Sequence, residues 1–233
     1  MAQQSDIDFS LEEKSILEKF DEYRSLYIPA LINTVEWITL SKFMKNYYIE
    51  KKVDCIDDIY EFTCRVAGTA SVIGMLECAY KKLSEKDTNR FCGKAIIVAW
   101  LSDIDKFDND LDTFYGIINV MLELNMPIDD VKNITNILTK LNHDQDERFV
   151  RTIVDDAIKI ELKTKVELDK RIKLAKRAFD EKIEGSDLQN YLRKAADDYH
   201  QQTICNQCYT WIGRLLYKRS KEEFACLVTK FTS

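Results

Sequence analysis

Five aspartates crowd into ten residues of this chain: Asp103, Asp105, Asp108, Asp110 and Asp112 come directly after the apolar run Ala95–Leu101. On a helix, residues four apart share a face, so Ser102, Lys106 and Asp110 form one stripe and Asp105, Asn109 and Thr113 another. Asp103 is offset from both. Oxygen donors gathered where an apolar helix leaves a core suit a divalent cation with a phosphate attached, although a run of acids at a helix end also reads as a solvated face. Upstream, Arg65 is conspicuous in the apolar stretch DDIYEFTCRVAGTASVIGMLECAY. Cys205 and Cys208 form a CxxC with His200 five residues before it, but a zinc site needs a further ligand pair that the sequence does not offer. His143 and His200 have no Ser or Cys partner at a recognisable spacing, so no nucleophilic triad is expected.

The elements that must position these groups are helices. With only 6 Gly and 2 Pro in 233 residues, punctuation is too sparse for many strands and turns, and an all-α domain is expected. The chain is 45% hydrophobic and 32% charged, enough to bury one large core. A net charge of −6 argues against nucleic acid, whose phosphates need clustered Lys and Arg. No run of about 18 apolar residues appears, so no membrane span is expected. The polar start and seven unpatterned cysteines point to a reduced, cytoplasmic protein.

Ser10-Leu11-Glu12-Glu13 is a capping box and opens the first helix. Pro29 suits a first helical turn, predicting a second helix from there to about Tyr48. Asp57 or Asp58 is expected to cap the next, to about Lys82, and Ser84 or Asp87 the one after. The acid-bearing helix is placed at Asn89–Phe107, with a second piece from Leu111 to about Asn125. Pro127 starts another, to about Leu141. Glu147–Glu184, free of Gly and Pro and alternating in charge, predicts one long helix or two with a soft joint. Ser186–Lys218 and Lys221–Phe231 complete a single bundle of about eight to ten helices over residues 1–233.

Three segments carry a family resemblance. LSDIDKFDNDLDTFYGIINVMLELNMPIDDVKNI resembles the second metal motif of class I terpene synthases, Asn/Asp-Asp-x-x-Ser/Thr-x-x-x-Glu, together with the stretch downstream of that motif. Ser102, Asp103, Lys106 and Asp110 fall on its defining positions, with Lys106 where the family has a hydroxyl. IDDIYEFTCRVAGTAS is similar to the helix whose Arg senses the diphosphate, which makes Arg65 the sensor. QCYTWIGRLLYKRS resembles the family's C-terminal ending, with Trp211, Gly213 and Arg219. Squalene and phytoene synthases, which share the isoprenoid synthase fold, have a similar AGT segment. The resemblance covers roughly residues 20–220 and does not include the family's first aspartate-rich motif; Asp57-Asp58-Ile59-Tyr60-Glu61 spells DDxxE but reads as a helix start. The chain is therefore expected to correspond to such a domain without its N-terminal third.

What the resemblance implies is a bundle of the isoprenoid synthase type that ionises a prenyl diphosphate with Mg2+. Ser102, Asp103 and Asp110 would hold the metal, and Arg65 and Arg219 the diphosphate. Trp37, Trp100 and Trp211 are candidate aromatic faces for a carbocation, or core filling. The other expectation is a catalytically degenerate helical module of the same fold that binds a protein partner or an apolar ligand.

Overall fold

In the computed structural model, the described residues are 10–53, 55–102, 104, 111–139, 144–167, 169–170, 173 and 208–232. Among them there are helices and connecting turns, and no strand. The principal helices are α1 (Leu11–Leu31), α2 (Val35–Glu50), α3 (Ile56–Tyr80), α4 (Glu85–Leu101), α5 (Leu111–Glu123), α6 (Ile128–Leu138), α7 (Gln145–Glu161) and α8 (Trp211–Thr232). None of the described helices is long and apolar enough to cross a membrane.

Local chemistry explains several of the ends. The Ser10 hydroxyl accepts from the Glu13 amide and the Glu13 carboxylate accepts from the Ser10 amide, closing the capping box. Ser84 likewise caps α4 by accepting from the Asp87 amide. Pro29, expected to open a helix, instead sits in the last turn of α1; the new helix starts at Val35, where the Thr34 hydroxyl accepts from the Trp37 amide. A proline without its N–H is tolerated there because the helix ends two residues later. Neither Asp57 nor Asp58 caps α3: Cys55 is the N-cap, in the left-handed region, and the two acids lie in the first turn facing the helix dipole.

The core is organised around α3, which packs against α4, α7, α1, α8 and α2. From Val66 to Ile73 every residue is buried, as expected of a helix surrounded by others. Small residues on it let neighbours approach: a Cβ at Gly68 would lie 2.7 Å from Ile28 Cδ1 on α1. On α7, Val150, Ile153, Val154, Ala157 and Ile160 form the apolar stripe turned to the core. Trp37 and Tyr60 close on Trp100, with ring centroids 5.1 and 5.6 Å away. Such pairs add about 0.5–1.5 kcal/mol each beyond the area they bury.

Of two long-range features, the first agrees with the soft joint that the sequence reading allowed and the second departs from it. The stretch beginning at Glu147 breaks after Glu161, with a turn at 162–164 before helical residues resume at 165. Near the C-terminus, 208–210 are non-helical and α8 runs unbroken from Trp211 to Thr232, in place of two helices meeting near Lys218. Two buried carboxylates from elsewhere in the chain set that start. Asp156 on α7 accepts from the Tyr209 amide (2.9 Å), the Thr210 amide and the Thr210 hydroxyl (both 2.8 Å). Glu77 on α3 accepts from the Ile212 amide at 2.6 Å. These are the donors that every helix start leaves unpaired.

Candidate functional site

The α3–α4 connection is tight, with Lys82 in the left-handed region (φ 57°), so α4 runs back along α3 and its C-terminus returns beside the start of α3. The Tyr60–Trp100 contact fixes that return. Arg65 is five residues beyond Tyr60, which on a helix means roughly 7–8 Å along the axis and about 140° around it. Arg65 and the C-terminus of α4, with Ser102 directly after it, therefore share one end of the bundle and occupy different sides of α3.

Ser102 comes directly after α4, half-buried, and its hydroxyl donates to the Ala99 carbonyl at 3.0 Å. That leaves its lone pairs available as acceptors. The Ile104 carbonyl accepts from the Tyr47 hydroxyl at 3.5 Å. Asp103 and Asp110, the other expected metal ligands, lie outside the described residues, as do Asp105, Lys106 and Asp108. Among the described residues no group of His, Cys, Asp or Glu is arranged to hold a metal ion.

Arg65 sits in a dense ionic cluster. Its Nε donates to Glu161 Oε2 (3.2 Å), Nη1 to Glu61 Oε1 (3.0 Å) and Nη2 to Glu167 Oε2 (3.2 Å). The Glu161 side chain is 0% exposed, and its Oε1 also accepts from Arg24 Nη2 (2.9 Å) and Thr69 Oγ1 (2.6 Å). Lys170 reaches Asp58 and Glu61, both at 3.1 Å, so the acids of the DDxxE segment are partners of Lys170. Arg219, the second expected diphosphate ligand, makes a two-pronged contact with Asp21 on α1 at 2.9 and 3.0 Å, over the Phe20 ring. Arg65 and Arg219 are thus joined to α1 through different residues, Glu161–Arg24 for one and Asp21 for the other.

Sequence reasoning missed Glu161, Arg24 and Thr69. The available signal was an acid on an apolar stripe: Glu161 stands four residues after Ala157 and seven after Val154, both buried. Glu77 carries the same signal, four residues after the buried Ile73. Cys64, Cys92 and Cys208 are not poised for chemistry. Burial pushes Cys64 up to about 11 and Cys92 up to about 12, and raises Cys208, which also faces Asp156. Cys205 and His200 lie outside the described residues. Trp37 and Trp100 are buried, while Trp211 stacks on Tyr80 at 4.7 Å.

Compared with known proteins, the chain matches no family model, no curated protein and no solved structure. What the fold defines is an all-helical protein built round a buried central helix.

Proposed function

We propose that the chain is a class I terpene synthase-like protein that binds a prenyl diphosphate with Mg2+ and promotes its ionisation. Support comes from one observation above all: the α3–α4 hairpin brings Arg65 and Ser102, directly after α4, to the same end of the bundle, on different sides of α3. In the reaction the allylic C–O bond breaks heterolytically and the electron pair leaves with the diphosphate. A guanidinium already fixed in place stabilises that growing negative charge without reorganising. Ser102, Asp103 and Asp110 are oxygen donors of the type Mg2+ takes, and the bound ion would add positive charge on the departing group. Arg65 would hold the diphosphate from the α3 side, and Arg219 would be its second cationic contact.

Two observations favour a second reading, a catalytically silent module of the same architecture that binds a partner or an apolar ligand. Lys106 puts an ammonium where the motif has a hydroxyl, and three nitrogens of Arg65 already face carboxylates. Incubation with geranyl, farnesyl and geranylgeranyl diphosphate and Mg2+, read by gas chromatography, separates the two. The enzyme reading expects a hydrocarbon or alcohol product that falls at least about tenfold in Arg65→Lys, the effect of losing one fixed donor. Folded protein that yields no product from any of the three leaves the silent module.

A further inference from the structure

The partners of Arg65 divide into two kinds. The inner one, Glu161, is fully buried and is held in turn by Arg24 and Thr69, so it has no route to water. The outer ones, Glu61 and Glu167, have side chains 55% and 18% exposed. A buried carboxylate stripped of its partner is strongly disfavoured, whereas an exposed one such as Glu61 rehydrates and the half-buried Glu167 keeps a partial route to water. Glu61 is better placed still, because Lys170 holds its other oxygen at 3.1 Å and remains its partner when Arg65 lets go.

We propose that Glu61 and Glu167 are built-in stand-ins for an anionic ligand, closing the Nη edge of Arg65 until a diphosphate displaces them. This rests on the reading of Arg65 as a diphosphate contact and adds how that contact is regulated. Charge makes the closure effective. Arg24, Arg65 and Lys170 face Asp58, Glu61, Glu161 and Glu167, three cations against four carboxylates, so an approaching anion meets a net negative cluster. Neutralising the two outer carboxylates leaves three cations against two and reverses the sign. Glu161 meanwhile keeps the guanidinium in place from behind through Nε, so the freed edge stays aimed. Guanidinium carries five N–H donors, and the outer edge supplies the parallel pair that phosphate oxygens accept.

The test is the affinity of the full chain for inorganic pyrophosphate, by titration calorimetry at fixed ionic strength with and without Mg2+. Glu61→Gln/Glu167→Gln keeps the side-chain shape and removes the charge. It is expected to bind about threefold to twentyfold more tightly than the parent, since a solvent-facing pair such as Arg65–Glu61 shifts an equilibrium by up to about fivefold and the half-buried Arg65–Glu167 pair by no less. Glu12→Gln/Glu85→Gln makes the same change in net charge at positions outside the cluster and is expected to bind like the parent. Arg65→Lys in the neutralised background is expected to lose the gain, with circular dichroism confirming that it folds. Binding that appears only in the neutralised chain supports the closure. Equal or weaker binding by the neutralised chain, an equal gain in the control, or no binding by any variant overturns it. The product assay decides the enzyme reading separately: product with unchanged pyrophosphate affinity sinks the closure alone, and gated pyrophosphate binding without product sinks the lyase alone.

Discussion

Glu161 and Asp156 lie five residues apart on α7, both with no exposed surface, yet they serve different ends. Asp156 accepts from two backbone amides and one hydroxyl at the start of α8, with the Cys208 thiol beside them and Glu77 taking a further amide. Those donors belong to the start of one helix and have nowhere else to go, so the contact is part of the fold. Gly213 completes it, because a Cβ there would run into the Asp156 carboxyl group. Glu161 accepts from side chains, two of them guanidinium groups, and the far edge of Arg65 reaches partly exposed acids. A buried carboxylate satisfied by amides welds two elements. One satisfied by a guanidinium with an outward edge can hold that edge ready for something else.

The contrast breaks most visibly at Asp156. Asp156→Ala leaves three donors at a buried helix start without an acceptor, each costing about 1–3 kcal/mol, so urea unfolding is expected to show a loss of about 3–5 kcal/mol. A loss below about 1 kcal/mol, within the range of an ordinary exposed cap, would mean that water replaces the carboxylate and that the weld is not one. Glu161→Gln is expected to do less damage, about 1–2 kcal/mol, because the amide still accepts from Thr69 and both arginines retain routes to water. Its larger effect should be on order: by nuclear magnetic resonance the Nε–H of Arg65 should exchange slowly in the parent and quickly in the variant. Matching losses at the two positions would erase the distinction between them.

How much of this was visible in the sequence depends on how local each feature is. The caps of Ser10 and Ser84 are settled within four residues: the structure has Ser10 where the sequence put it, and takes Ser84 from the two candidates Ser84 and Asp87. The all-α class was legible from the scarcity of Gly and Pro. Pro29 misled because a proline is compatible with the last turn of a helix as well as the first. The start of α8 was illegible for a stronger reason: its caps come from residues 54 and 135 positions away. At the candidate site Arg65 was conspicuous by itself, but its carboxylate is 96 residues downstream in a stretch where charges of both signs alternate. Only the coincidence of an acid with apolar spacing marked Glu161 and Glu77, and that pattern says that a partner exists without saying which.

Lys163, two residues past Glu161 and packed against α8, offers the smallest and most selective test of the seam between the two carboxylates. Its Nζ lies 3.4 Å from the Tyr217 ring centroid, and burial, then the neighbouring Lys221 charge, push it down to about 7. The ordinary value is 10.5, so between about 7 and 10.5 the unfolded chain binds a proton that the folded chain does not. Stability therefore rises with pH across that window, is fully gained above it and is lost as pH falls through 7. The buried thiols act oppositely: Cys64 and Cys92, raised from 9.0 to about 11 and 12, make stability fall as pH climbs past 9. The measurement belongs between about pH 7 and 8.5, where Lys163 dominates. There the melting temperature of the parent should climb and that of Lys163→Met should stay level, the methionine keeping the apolar stem over Tyr217 without a proton to lose. Equal slopes in the two proteins would show that Lys163 stays charged beside the ring, and would make the α7–α8 seam an ionic contact like the one around Arg65.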